Sequence, residues 1–288
     1  MEMEDEKFKT MAVAYIDVLG TKALKTFDEQ NNISKIFHSA IDEEERRGNP
    51  NKRCSRWSFS FSDCAFIIYT QNKQIDQRLT YYDEGDEYYY PLIALLNNLP
   101  LTILQYYNKG FLVRGGIAIG DGFVSNDHRR FFGKVFADSS QFDKTGYPPF
   151  ICIDKELAEK INSIMEKCHK RRVEDAQKEM PEVFKELQLK GLYDYYPYFE
   201  KIGDIYIFNA FHNYKTHISA LAGNKYIENE DTFYDDFKEK CETNIANSSN
   251  DNVKAKWEKM LHFLESKQDF ITKQLKNGVC GCFVTYKN

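Results

Sequence analysis

No apolar run in this 288-residue chain approaches the ~20 residues that a membrane-spanning helix needs. The N-terminus, MEMEDEKFKT, is charged and acidic, whereas a secretion signal begins basic and turns apolar. These absences argue against membrane insertion; action at a membrane would need a partner or a diffusible product. There is no basic excess either: the net charge is −5, so nothing supplies the field that tight nonspecific nucleic-acid binding requires. Cysteine is sparse and irregular, with seven residues at 54, 64, 152, 168, 241, 280 and 282. An odd count without regular spacing fits a reduced, cytoplasmic protein rather than a disulfide scaffold. The lone pair Cys280-Gly-Cys282 lacks the partner pair of a four-ligand zinc site. Also missing are an internal repeat, a low-complexity tract and a Pro/Gly/Ser linker.

What is present suits a globular chain: hydrophobic residues make up 42% and charged residues 29%, enough to bury a sizeable core. Aromatics reach 15%, with Tyr and Phe gathered in strand-like runs that suit core packing. Met11–Leu19 reads as a short buried strand stopped by Gly20, and Lys22–Arg47 carries helical apolar spacing. Residues 56–62 alternate Trp57, Phe59 and Phe61 against serines, and Cys64–Thr70 follows as a second strand, giving a hairpin with Ser62-Asp63 at its tip. Gln71–Tyr90 reads as a loop, Pro91–Asn108 as a helix and Phe111–Ile119 as a strand holding a glycine pair. Glycines in a strand often mark close approach by a ligand or another chain. Asp121–Arg130 reads as a loop and hairpin tip, Gly133–Lys144 as a short helix, Phe150–Ile153 as a strand and Lys155–Lys190 as a helix interrupted near Pro181. Asp204–Phe211 is the last predicted strand, and Asn250–Lys276 forms a long amphipathic helix with Trp257 on its spine. The simplest architecture is an α+β domain over residues 1–211 with a helical C-terminal extension over 212–288.

Two carboxylates stand out. Asp17 lies near the end of an apolar strand, where an unpaired buried charge is costly, and Asp63 poses the same question at the hairpin tip. If they converge at one sheet edge, they form an all-oxygen donor pair suited to Mg²⁺ or Mn²⁺, with coordination sites left for phosphate. The other reading is that each aspartate caps the element that follows it. Gly20-Thr21-Lys22 lies between the first strand and its helix, where backbone N–H groups can receive phosphate or simply make a turn. Arg114, beside the glycine pair, can grip a triphosphate bidentately or pair with a carboxylate.

The ordered set YIDVLG (15–20), FSDCAFIIY (61–69), VRGGIAIGDG (113–122) and FFGKVF (131–136) resembles the class III nucleotidyl cyclase domain. With YPPFICID (147–154), GDIYIF (203–208) and VKAKWEKML (253–261) added, the set looks most like the pyrimidine cyclases of bacterial Pycsar anti-phage systems. That resemblance implies a ferredoxin-like palm sheet with flanking helices. It also implies a homodimer with active sites at the interface, and two divalent ions held by Asp17, Asp63 and the Val18 carbonyl. Triphosphate would be bound by Gly20, Thr21, Lys22 and Arg114. The substrate's 3′ hydroxyl would attack the α-phosphorus with loss of pyrophosphate, giving cUMP or cCMP for a separate effector to sense. UTP is preferred over CTP because cUMP makers are the commoner type in that group; no residue decides it.

The departures from the wider class are informative. Its adenine-reading Lys and Asp correspond here to Trp57 and Arg130. An aromatic can stack on a smaller ring and an Arg can donate to pyrimidine carbonyls, while Trp57 also shares a face with Phe59 and Phe61 and suits the core. The class's transition-state Asn and Arg correspond to Ala137 and Gln141, neither of which supplies a positive charge; Lys134 and Arg129 are the nearby cations. Two other readings stay open: a catalytically silent nucleotide-binding module, and a metal-dependent phosphatase or nuclease using the same carboxylates.

Overall fold

The central strand is β1 (Lys9–Leu19), and its burial pattern explains what surrounds it. Ala12, Ala14, Ile16 and Val18 point into the main core, whereas Met11, Val13 and Tyr15 point into a second, smaller cluster on the opposite face. A strand apolar on both faces needs cover on both. A computed structural model describes residues 7–46, 54–71, 82–125, 130–182, 185 and 195–277. In it β1 is flanked by antiparallel β3 (Cys64–Gln71) and β4 (Leu112–Val124). Strand β2 (Cys54–Phe61) pairs outside β3. Helix α1 (Phe27–Arg46) leads from β1 to β2, and α2 (Tyr90–Asn108) from β3 to β4. Each crossover skips one strand, so the order β2-β3-β1-β4 is a split βαβ, ferredoxin-like core. Ile33, Ile36 and Phe37 of α1 and nearly the whole apolar surface of α2 fill the main core.

The sheet continues past β4 through β6 (Ile151–Ile153), β8 (Ile205–Phe208) and β7 (Phe199–Ile202), while β5 (Phe131–Phe132) pairs with the end of β4. Helix α3 (Lys134–Thr145) covers the smaller cluster with Val135 and Phe136, and α4 (Lys155–Glu179) begins at an Asp154 cap that accepts from the N–H groups of Glu156 and Leu157. The described residues after the sheet form α5 (Tyr214–Gly223), α6 (Phe233–Asn247) and α7 (Asp251–Asn277). These helices are part of the main core: Phe263 packs its ring 5.2 Å from that of Phe150, and the Tyr234 hydroxyl donates to the Leu264 carbonyl at 2.7 Å. Trp257 is 7% exposed within the same cluster.

Several predicted boundaries shift for local reasons. The helix expected from Lys22 starts at Phe27, because Gly20 at φ 92° leads into a 3₁₀ turn at Thr21–Ala23. A capping box at Thr26 and Glu29 then opens α1: the Glu29 N–H donates to Thr26 Oγ1 at 3.2 Å and the Thr26 N–H to Glu29 Oε2 at 3.0 Å. The strand expected at Asp204–Phe211 is β8, shorter at Ile205–Phe208, and it forms the second arm of a hairpin, since Gly203 at φ 61° turns the chain back from β7. Strand β4 runs on to Val124, five residues past its predicted end (124 − 119), because β1 pairs with it as far as Gly122 and β5 pairs at its tip. Helices α5 and α6 fall within the helical extension expected over 212–288, in which only α7 has predicted bounds. No disulfide joins Cys54, Cys64, Cys152, Cys168 or Cys241 to one another; Cys280, Cys282 and Arg129 lie outside the described residues. Among the described residues no helix is long and apolar enough to cross a membrane.

Candidate active site

The topology brings Asp17 and Asp63 to one sheet edge. Asp17 is opposite Cys64 in the β1–β3 ladder, so the residue before Cys64 abuts the end of β1. The Val18 N–H donates to the Asp63 carbonyl at 2.9 Å, extending the ladder into the hairpin tip. Ser62 turns that tip with a positive φ of 57°. The Thr21 hydroxyl donates to Asp63 Oδ2, so the turn after β1 orients the second carboxylate. Thr21, Lys22, Ser62 and Asp63 border a cavity of about 400 Å³ walled by Leu24 and Ile33. The sequence reading gave Thr21 a backbone role; its side chain is engaged as well.

The period of the strand puts Asp17 on the face of Met11, Val13 and Tyr15, beneath α3 rather than in the main core. Arg114 is directly opposite Asp17 in the β1–β4 ladder and donates its Nε–H to Asp17 Oδ2 at 2.7 Å. The same nitrogen lies 2.9 Å from Oδ1 of Asp143 on α3. The Asp17 side chain is 14% exposed against 30% for Arg114. Burial pushes the Asp17 carboxyl above the ordinary carboxylate range; Arg114 pulls it back, and the negative charges of Asp143 and Asp63 add to the upward push. Burial works against the Arg114 charge, but its bond to Asp17 and the two carboxylates hold the guanidinium above its ordinary value. Burial likewise raises Cys64 and Tyr15, which face the same carboxylates.

The glycine pair after Arg114 serves packing between elements of the chain itself. A Cβ on Gly115, at φ 151°, would lie 1.9 Å from the Tyr15 carbonyl oxygen, and one on Gly116 would meet the Phe142 ring at 2.3 Å. The close approach read from the sequence is therefore that of β1 and α3 to β4.

Asp143 was not singled out in the sequence, although a signal was there. Phe136, Ser139 and Asp143 stand at i, i+3 and i+7 on α3, and the first two are buried. A carboxylate continuing an inward-facing stripe needs a partner.

The remaining candidates sit apart from this group. Trp57 packs with Tyr15, Phe59 and Phe131 against the smaller cluster. Arg130 is exposed at the base of the β4–β5 hairpin, its guanidinium carbon 5.9 Å from the centre of the Phe123 ring. Ala137 and Gln141 are exposed on α3. Lys134 is paired with Asp138, and both border, with Gln141, a separate cavity of about 670 Å³.

Among the described residues no three His, Cys, Asp or Glu side chains form a ready-made cation cluster. The donors nevertheless fit a hard divalent ion. The charges of Asp63 and Asp143 both act on Asp17, whose paired cation is Arg114. Mg²⁺ is commonly held by one or two carboxylates together with substrate phosphate.

No family model matches the chain, and no curated protein matches it by sequence. Among solved structures the chain is similar to the adenylyl cyclase CyaB from P. aeruginosa at 14% identity, over 55% of this chain and 83% of that one, with a TM-score of 0.35. A likeness of that size identifies neither the fold nor the chemistry of this chain.

Proposed function

We propose that this protein is a class III-type nucleotidyl cyclase that converts UTP, or alternatively CTP, into the 3′,5′-cyclic nucleotide and pyrophosphate. The observation that carries the proposal is the convergence of Asp17 and Asp63, tied by the Val18–Asp63 backbone bond beside the Gly20–Lys22 turn. Asp17, Asp63 and the Val18 carbonyl would hold Mn²⁺ or Mg²⁺. Bound there, divalent ions would neutralise the triphosphate and acidify the attacking hydroxyl. Thr21 and Lys22 border the cavity beside Asp63, and with Gly20 just before them they would offer backbone N–H groups and an ammonium to the phosphates. Arg114 keeps its two Nη groups free of hydrogen bonds among the described residues, which suits a phosphate contact.

The finer assignments rest on the resemblance in residue pattern. Trp57 and Arg130 in place of an adenine-reading Lys and Asp favour a pyrimidine base. The same resemblance assigns the working unit to a homodimer with interfacial sites and the product to a separate effector in anti-phage defence; the layout of the sequence assigns the machinery to residues 1–211 and the helical extension to 212–288.

A silent nucleotide-binding module is favoured by one observation: Ala137 and Gln141 are exposed and carry no charge where the class has transition-state donors. Incubating the purified chain with each of the four nucleoside triphosphates and Mn²⁺, and assaying cyclic product and pyrophosphate, separates the readings. Cyclic UMP or CMP with stoichiometric pyrophosphate is expected. Cyclic AMP or GMP alone removes the pyrimidine assignment, and tight UTP binding without pyrophosphate favours the silent module.

A further inference from the structure

The Nε of Arg114 carries one proton and faces two carboxylates. Asp17 Oδ2 receives that proton at 2.7 Å, while Asp143 Oδ1 stands 2.9 Å from the same nitrogen. Asp143 Oδ1 is buried and accepts no hydrogen bond among the described residues. A buried acceptor without a donor is costly, yet the fold holds this one firmly in place. Gly116 lets α3 come so close to β4 that a single added carbon would overlap both the Phe142 ring and the Ser139 carbonyl. That contact fixes Phe142, and hence Asp143, against Arg114.

We infer that Asp143 is a positioning residue that receives the Arg114 Nε–H when Asp17 turns to a cation. The inference rests on the reading of Asp17 as a cation ligand. A cation on Asp17 competes with Arg114 for the carboxylate. Without a second acceptor, Arg114 would either hold Asp17 back or lose its only charged partner in a half-buried position. With Asp143 at 2.9 Å, a small swing of the guanidinium transfers the hydrogen bond from one carboxylate to the other. Arg114 stays paired and stays on β4, and Asp17 is released. No proton changes owner in this exchange; only the acceptor of one N–H changes.

The test is cation binding by the full chain without nucleotide, read from the electron paramagnetic resonance signal of free Mn²⁺. The proteins are the wild type, Asp17→Asn, Asp143→Asn, Arg114→Gln and the double variant Arg114→Gln/Asp143→Asn, each checked by thermal melting. Asp143→Asn is expected to weaken Mn²⁺ binding by roughly tenfold, the scale of one charge-assisted hydrogen bond. In the Arg114→Gln background the same change should have less than about a twofold effect, because the group it acts through is gone. Equal weakening in both backgrounds would make Asp143 an independent ligand or charge and overturn the inference. No weakening in either would overturn it too. If the wild type binds Mn²⁺ no better than Asp17→Asn, the assignment of Asp17 fails first and the inference falls with it.

Discussion

Arg114 sits directly across the β1–β4 ladder from Asp17 and donates Nε–H to its Oδ2 at 2.7 Å, so one strand register joins the site's central cation to its central carboxylate. Removing either aspartate should therefore harm chemistry far more than folding. Asp17→Ala leaves Arg114 beside Asp143. Asp63→Ala keeps the Val18–Asp63 bond, which is formed by backbone atoms alone. Each variant is expected to lower cyclic product on the order of a thousandfold or more, the scale of losing a group that stabilises transition-state charge, with a melting temperature within a few degrees of wild type. Pyrophosphate release and thermal denaturation check both halves; near-wild-type turnover in either variant would refute the assigned roles.

Gly115→Ala should do the reverse and fail structurally. The added carbon would lie 1.9 Å from the Tyr15 carbonyl oxygen at a backbone φ of 151°, so β1 and β4 must separate. A loss of about 3 kcal/mol or more is expected, with activity falling because the Asp17–Arg114 register goes with it. Urea denaturation of Gly115→Ala beside Gly223→Ala, a helix-end position open to a Cβ, provides the comparison; equal stabilities would contradict the account.

The parts of this molecule that sequence reveals are those governed by local periodicity. Strand β1 and the Ser62-Asp63 hairpin follow from alternation and one turn, and with them the positions of both aspartates. Asp143 needed a tertiary fact, that α3 lies on the Asp17 face of the sheet. Likewise, the glycines after Arg114 point to a close approach without naming the partner, which is the chain's own Tyr15 carbonyl and Phe142 ring. Helices α5 and α6 lie in the expected helical extension without predicted bounds of their own, although Tyr214, Ile218 and Leu221 of α5 and Phe233, Phe237 and Cys241 of α6 stand at helical spacing. Their stability comes from packing on the main core rather than from helix propensity.

Trp57 carries two assignments that a conservative change can separate. Its ring packs with Tyr15, Phe59 and Phe131 on the smaller cluster, so Trp57→Phe should cost only about 1–2 kcal/mol. If the indole also contacts the base, KM for the pyrimidine triphosphate rises while kcat changes less. Steady-state kinetics with UTP, CTP and ATP measures the split, and unchanged KM values would leave Trp57 a packing residue alone.

Trp257 lies in the chain's own core at 7% exposure. Trp257→Ala is therefore expected to destabilise the fold by about 3–5 kcal/mol, through a cavity beneath α7. Because the contact is within one chain, the loss should not depend on protein concentration. Melting at protein concentrations a hundredfold apart tests this; a strongly concentration-dependent deficit would instead place Trp257 at a subunit contact.

The pair His212 and His217 sets an acid limit on stability. His212 Nδ1 is 2.8 Å from the Asn209 carbonyl and His217 Nε2 is 3.1 Å from the Asn97 carbonyl, so those nitrogens carry the protons and donate. The opposite nitrogens, His212 Nε2 and His217 Nδ1, are buried without a hydrogen-bond partner among the described residues. Burial pushes His212 down to about 3, with the neighbouring His217 adding to it, and burial pushes His217 down to about 4. Both values lie below the ordinary 6.5, so the unfolded chain binds more protons than the folded one as the medium turns acid. The stabilising contribution is complete above pH 6.5 and is lost as pH falls from there toward the folded values. Between about pH 6.5 and pH 5 the loss should be on the order of 2 kcal/mol per imidazole, before most carboxylates titrate. Urea denaturation across that range should show stability falling with uptake of about two protons on unfolding. His217→Gln, which retains a side-chain donor, should remove about half of the slope; a flat profile in the wild type would mean that the two imidazoles are not held neutral by the fold.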